Sequence, residues 1–247
     1  MHGTGRPTAQ ALLLVANRDE YYARPTMPLH WWSDEDILAG RDQQAGGTWL
    51  GVSQSGHLAA LTNYRDPHNQ RDDAASRGEV VSHFLRTSGT AEDYLNGLRH
   101  RAKDDNPFNL LVFDGNRLMG LESRHARILN LPEGVGAVSN ADFHAPWPKQ
   151  IELANCLQQL IRQGRPDDAG LLALLQNRNV AADTALPDTG IGLPLERALS
   201  SAFVSLPGYG TRASSVVRVG TSAIEFVEHG FDANGPMQMQ RVVLAGK

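Results

Sequence analysis

The order of two hydrophobic patterns along the chain limits the fold more than any other feature of the sequence. Short apolar runs bounded by turn residues predict strands, and they come first, at residues 10–16, 37–40, 48–52 and 57–62. Residues 21–36, which carry two prolines, are expected to be irregular. Strands that follow one another without intervening helices form a meander, so the pattern excludes a repeated βαβ unit.

The pattern then changes to helical spacing. Residues 80–85 place apolar side chains at the period of a helix, and Ser76 with Glu79 has the form of a capping box at its start. A second helix is predicted at residues 90–103. The rest of the chain predicts strands at residues 109–114, 117–122, 126–131 and 135–139, helices at 148–163, 168–176 and 194–200, and strands at 202–205, 214–219, 222–228 and 237–244.

Helices therefore lie between two blocks of strands, which indicates an α+β sandwich. No linker, repeat or change of composition divides the chain, so we expect a single domain over residues 1–247. A hydrophobic fraction of 41% is ordinary for a folded domain of this size.

The charge balance argues against a nucleic-acid partner. The net charge is −4, whereas nucleic-acid binders carry clustered Lys and Arg. The one basic cluster, residues 99–103, is followed at once by two aspartates and is interpreted as a solvated helix end.

The compartment is predicted from what the sequence lacks. The first residues hold no apolar core of the kind that a signal peptide needs, and the longest apolar run, residues 11–16, is too short to span a bilayer. The single cysteine, Cys156, excludes a disulfide within the chain and argues against a cysteine zinc site; we expect it in the core. The histidines show no metal-binding spacing, so no metal site and a cytoplasmic location are predicted.

Polar clusters stand at four strand ends, and these are the candidate site. They are Asn17-Arg18-Asp19-Glu20, Thr62-Asn63-Tyr64-Arg65, Ser139-Asn140 and Tyr209-Gly210-Thr211-Arg212. Asparagine can stabilise an oxyanion, arginine suits a carboxylate or phosphate, and aspartate can orient a nucleophile or an amine, so together they would suit amide hydrolysis. The alternative is that polar residues at strand ends simply start turns.

The ordered motifs of the chain resemble those of the NRDE family, also called the transport and Golgi organization family. The resemblance covers nearly the whole chain from about Pro7 onward. It rests on eleven motifs: Ala16-Asn17-Arg18-Asp19-Glu20, Ala23-Arg24-Pro25-Thr26, Ala39-Gly40-Arg41-Asp42, Gly46-Gly47-Thr48-Trp49-Leu50-Gly51, Leu61-Thr62-Asn63-Tyr64-Arg65, Ser76-Arg77-Gly78-Glu79, Asn106-Pro107-Phe108-Asn109-Leu110, Ser139-Asn140, Pro146-Trp147-Pro148-Lys149, Leu186-Pro187-Asp188-Thr189-Gly190 and Tyr209-Gly210-Thr211-Arg212.

This family resembles the N-terminal nucleophile hydrolases, especially the bile-salt and penicillin amidase branch. The resemblance implies a four-layer αββα sandwich of mostly antiparallel sheets. It also implies that Asp19 hydrogen-bonds the nucleophile, that Asn63 and Asn140 are the pocket asparagines, and that Arg212 is the late arginine near the site. Arg18 does not align with the arginine of that branch, so the resemblance implies no catalytic role for Arg18.

The sequence departs from the family at its start. Family members begin Met-Cys and run into an apolar strand, whereas this chain begins Met1-His2-Gly3. Either the start is assigned too late or the protein has lost the cysteine. Thr4 is a further conceivable nucleophile, while Ser215 would need a histidine partner that the sequence does not place.

Two hypotheses follow for a small-molecule ligand. In the first, the protein hydrolyses non-peptide C–N bonds, with Asp19, Asn63, Asn140 and Arg212 as catalytic residues. In the second, it is a non-catalytic protein that binds and transfers haem or an acyl lipid, a role that the family resemblance implies. Haem then enters as cargo, and no resident cofactor is expected. In either case Asn17, Arg18, Glu20, Tyr64 and Arg65 are expected to bind the ligand.

Overall fold

The computed structural model describes residues 10–33, 35–71, 73–74, 76–102 and 105–245. Its strands are β1 (Gln10–Tyr21), β2 (Thr26–Trp31), β3 (Ile37–Asp42), β4 (Leu50–Ser53), β5 (Leu58–Asn63), β6 (Phe108–Phe113), β7 (Leu118–Glu122), β8 (Arg127–Asn130), β9 (Ser205–Leu206), β10 (Tyr209–Gly220), β11 (Ala223–Asp232) and β12 (Gly235–Ala245). Its α-helices are α1 (Gly78–Arg86), α2 (Ala91–Leu98), α3 (Pro148–Arg162), α4 (Asp168–Leu175) and α5 (Leu193–Ala198).

The strands form two antiparallel sheets. The meander sheet contains β2 to β8 in chain order, and the predicted meander strands at residues 37–40, 48–52 and 57–62 lie in it as β3, β4 and β5. The strand predicted at residues 10–16 as the first of that meander is β1, which belongs to the other sheet. The other, here called the terminal sheet, has the order β1-β10-β11-β12, with β9 beside β10, so it joins strands from the two ends of the described chain.

Three apolar cores divide the molecule into four layers. Leu38 and Leu58 of the meander sheet pack with Val217 and Phe226 of the terminal sheet, which forms the core between the sheets. The outer face of the meander sheet is covered by α1 and α2, and the outer face of the terminal sheet is covered by α3 and α4. The predicted α+β class and the four-layer αββα sandwich are therefore confirmed.

The continuous apolar run of β1 is explained by this layering. Side chains alternate between the faces of a strand. Leu12, Leu14 and Ala16 contribute to the core between the sheets, while Leu13 and Val15 contribute to the core under α3 and α4. A strand covered on both faces needs apolar residues at every position.

Two boundaries near the start of the chain were predicted wrongly. The strand does not end at residue 16, because β10 continues to pair with it through Asn17 opposite Ser214 and Asp19 opposite Thr211. Residues 21–36 are not irregular but contain β2. Pro28 is tolerated in β2 because this strand is at the edge of the meander sheet and has an irregular register there.

Residues 135–139 were predicted as a strand and are not one. Their carbonyls are bound by side chains instead of by a neighbouring strand. The Thr62 hydroxyl donates to the Ser139 carbonyl at 2.6 Å, and the Gln150 amide donates to the Ala137 carbonyl at 2.7 Å. Side chains can thus satisfy the backbone of a segment without a β ladder.

The remaining differences concern ends of elements. The predicted capping box is wrong, because Arg77 is the N-cap of α1 and makes no side-chain cap bond. The helix predicted at 90–103 ends at Leu98, and the strand predicted at 202–205 is reduced to β9. Cys156 is half-buried on α3, not in the core, and Thr4 lies outside the described residues.

Crossing a membrane would need a longer and more apolar helix than any in the described ranges. The same ranges contain no group of three or more His, Cys, Asp or Glu side chains placed to hold a metal ion.

Candidate binding cavity

A cavity of about 2400 Å³ runs beside β1, between the two sheets and α3. Residues 12–21 all line it. Because alternate side chains of a strand point to opposite faces, consecutive residues can line one space only where that space meets the edge of the strand. Within the described residues β1 pairs only with β10, so its other edge borders the cavity. Residues 130–140 form part of the remaining wall.

The Asp19 carboxylate lies at the polar end of this cavity. It accepts a hydrogen bond from the Thr211 hydroxyl at 2.7 Å, and that hydroxyl in turn accepts one from the Val204 amide at 2.9 Å. Burial raises the pKa of Asp19, while the positive charge of Lys149 and the bond from Thr211 oppose that rise. Asp19 is thus held in a fixed orientation facing a cation.

The cation is Lys149, to which the sequence gave no role beyond its place in a family motif. It is the second residue of α3, directly after Pro148. Burial lowers the pKa of Lys149, and the negative charge of Asp19 opposes that decrease. A signal was present in the sequence, because a cation in the first turn of a helix opposes the helix dipole and is unfavourable there without another reason.

Arg65 is fixed at the same end of the cavity. Its guanidinium pairs with the Glu196 carboxylate at 2.7 Å and lies over the Trp147 ring at 4.8 Å. Glu196 is 3% exposed and also accepts from the Thr189 amide and hydroxyl. Burial lowers the pKa of Arg65, and Glu196 opposes that effect. Since Glu196 neutralises Arg65, the ion pair adds little net charge to the site.

Asn63 and Asn140 come together as neighbours. The Asn140 side-chain amide donates to the Asn63 carbonyl at 2.9 Å, and the Arg65 amide donates to the Asn140 carbonyl at 2.7 Å. Both asparagines line the cavity. The Asn63 side chain is exposed and makes no hydrogen bond with another described residue, so it is free to bind a ligand.

Asn17 and Arg18 also line the cavity, but their polar groups are occupied. The Asn17 amide donates to the Leu175 and Ala202 carbonyls, both at 2.7 Å, and its oxygen accepts from Ser214. These bonds join β1 to the end of α4 and to the segment before β9.

The Arg18 guanidinium is buried over the Trp49 ring at 4.2 Å, and burial lowers the pKa of Arg18. It lies 3.6 Å from the Asp42 carboxylate and 4.0 Å from that of Glu20, which also lines the cavity. Tyr64 lines the cavity too, and Arg124 stacks on its ring at 4.9 Å.

Arg212 is placed differently from the other predicted residues. Its guanidinium donates to the carbonyls of Tyr21, Tyr22, Arg24 and Phe231, and it is not part of the cavity wall. Arg212 thus stabilises the turn after β1.

No accessible nucleophile contacts Asp19 in the described part of the chain. The hydroxyl bonded to it belongs to Thr211, which is 0% exposed and does not line the cavity. Ser215 is also buried, with its hydroxyl directed towards Glu228 at 3.5 Å. The arrangement can bind and polarise a ligand, and a covalent step would need a further group.

Known proteins resemble this chain over most of its length. The sequence matches the family described as Transport and Golgi organisation 2 over residues 3–233. The human Transport and Golgi organization protein 2 homolog is 35% identical, over 85% of this chain and 83% of its own. The homolog from Bos taurus is 33% identical, over 94% of this chain and 91% of its own. A crystal structure of a mutant conjugated bile acid hydrolase from Clostridium perfringens superimposes with a TM-score of 0.44 at 9% identity, over 95% of this chain and 87% of its own.

Proposed function

This chain belongs to the Transport and Golgi organisation 2 family, and we propose that it binds a small lipid-like molecule, an acyl chain with a polar end, in the cavity beside β1. The observation that carries this proposal is the cavity itself. Its volume of about 2400 Å³ exceeds the roughly 300–1,000 Å³ of most small-molecule sites. Apolar residues of α3 and β1 line one part of it, and Asp19, Lys149 and Arg65 line another.

A pair of neighbouring substitutions on α3 tests whether the cavity is the binding site. Ala154 lines the cavity, whereas Asn155 is exposed on the outside of the same helix. Ala154→Trp should lower the affinity for an apolar fluorophore such as Nile red at least tenfold, because the indole fills the space. Asn155→Trp should leave that affinity unchanged. Equal affinities for the two variants would place binding elsewhere and contradict the proposal.

Haem is the competing cargo in this proposal. Haem binding requires an axial ligand such as histidine or tyrosine, and His144, Tyr64 and Tyr209 line the cavity. A titration followed by the haem absorbance band distinguishes the two cargoes. A band shift at micromolar protein that is lost in Ala154→Trp would favour haem, and the absence of a shift would favour the acyl lipid.

The second candidate function is hydrolysis of a non-peptide C–N bond. It is favoured by the Asp19 carboxylate, which Thr211 orients, and by the convergence of Asn63 with Asn140. Such an enzyme needs a nucleophile beside Asp19. Mass spectrometry of the protein purified from its native source provides the test. A mature N-terminal cysteine would support the hydrolase, and an N-terminus at Met1 or His2 would exclude this mechanism.

A further inference from the structure

The Lys149 ammonium has no hydrogen-bond or ion-pair partner among the described residues, although it is half-buried and lines the cavity. An ammonium has three donors, and none of them is used by a described side chain here, so all three can bind an acceptor in the cavity. The positive end of the α3 dipole also favours an anion beside Lys149.

The side chains that follow Lys149 along α3 are apolar. Leu153, Leu157 and Ile161 come one helical turn apart, and all three line the cavity. From Lys149 to Ile161 the helix rises by about 18 Å at 1.5 Å per residue. Leu195 within α5 and Leu199 just after its end also belong to the cavity wall. The cavity therefore has a cation at one end of a long apolar strip.

The charges around Lys149 limit the anion that can bind there. Asp19 and Glu196 are close enough to act on the pKa of Lys149, and Arg65 is already paired with Glu196. The two positive charges of Lys149 and Arg65 are balanced by the two carboxylates, so a bound anion adds net negative charge, and a dianion adds twice as much as a monoanion. A monoanion such as a carboxylate fits better than a phosphate dianion.

We propose that the ligand is a long-chain monocarboxylate, whose carboxylate binds the Lys149 ammonium and whose chain lies along Leu153, Leu157 and Ile161. This inference rests on the proposed lipid-binding function and adds the chemical identity of the polar end. Lys149 is then the residue that selects an acid over an alcohol or an ester of the same chain length.

Competition of dodecanoate and dodecanol for the bound fluorophore tests this selection, because the two differ only at the polar end. The wild-type protein should bind dodecanoate about 10- to 100-fold more tightly, the range expected for one charge-assisted hydrogen bond. Lys149→Met should abolish this preference, because it should weaken the binding of dodecanoate and leave that of dodecanol unchanged. Lys149→Arg should retain it, and circular dichroism should show that both variants are folded.

The outcomes separate the two proposals. If dodecanoate and dodecanol bind equally well to the wild-type protein, the lipid cavity stands and the role of Lys149 is wrong. If dodecyl phosphate binds more tightly than dodecanoate, the ligand is not a monocarboxylate. If neither compound binds and the fluorophore is insensitive to Ala154→Trp, the lipid-binding function itself fails.

Discussion

The Thr211 hydroxyl lies between two elements, donating to the Asp19 carboxylate and accepting from the Val204 amide. Thr211→Val keeps the shape of the side chain but leaves both partners unsatisfied. We expect a loss of about 1–3 kcal/mol in the free energy of unfolding, the usual cost of an unsatisfied buried group. Urea denaturation measures it. Thr211→Ser keeps the hydroxyl and should retain most of the stability. Equal losses of stability in the two variants would show that the methyl group contributes the stability and the hydrogen bonds do not.

Glu228 links the sheets through a buried carboxylate that should make stability depend on pH. It is 2% exposed, and its oxygen accepts from the Leu29 amide of β2 at 2.7 Å. Burial raises the pKa of Glu228 from 4.5 to about 6. The folded state therefore binds a proton more tightly than the unfolded state. The contribution of Glu228 is greatest below pH 4.5 and decreases by about 2 kcal/mol as the pH rises through 6.

Glu228→Gln should remove that dependence, because glutamine keeps the acceptor for Leu29 and carries no charge. The unfolding free energy of the variant minus that of the wild type should increase by about 2 kcal/mol between pH 4.5 and 7. Glu133→Gln, at an exposed carboxylate, serves as the control and should show a flat difference. A flat difference for Glu228→Gln as well would mean that its pKa is ordinary.

Gly47 should not tolerate a larger side chain. A Cβ at this position would lie 2.4 Å from the carbonyl carbon of Gly78 at the start of α1, so one backbone would have to move. Gly47→Ala should destabilise the protein by more than about 2 kcal/mol, as overpacking against a fixed neighbour does. Gly97, at the exposed end of α2, has open space, and Gly97→Ala should stabilise by up to about 1 kcal/mol. Thermal unfolding of the two variants gives the comparison.

Asn17 and Asn63 both line the cavity but should behave oppositely when changed to alanine. Asn17 makes three hydrogen bonds, so Asn17→Ala should cost about 2–4 kcal/mol of stability by leaving buried carbonyls unpaired. Asn63→Ala removes no such bond and should change stability by less than about 0.5 kcal/mol. If Asn63 binds the ligand, only that variant should weaken binding while remaining as stable as the wild type. A large stability loss for Asn63→Ala would assign it a structural role.

The sequence predicted the layers better than the site, for a physical reason. Strands and helices follow from the local spacing of apolar residues, which is why α1, α3 and strands β3 to β8 lie within a few residues of their predicted places. The extent of β1 depends on its pairing with β10, almost 200 residues away, and local spacing does not contain that information.

The site could be predicted in its location but only partly in its members. Polar clusters at strand ends made Asp19, Asn63 and Asn140 candidates without showing that they converge, and all three line one cavity. The same reasoning could not separate Arg212, which holds backbone carbonyls, from residues that face the cavity. Lys149 was missed because only the fold brings it into the same cavity wall as Asp19, although its place in the first turn of α3 was a detectable anomaly.

The edge of β1 that pairs with no other strand of the described ranges has a consequence for handling the purified protein. A strand edge exposed beside an apolar cleft is a template on which another polypeptide can add a strand, the usual first step of aggregation. Whatever fills the cavity also shields this edge. Shelf life at high concentration should therefore depend on occupancy of the cavity, and preparations with an empty cavity should precipitate first.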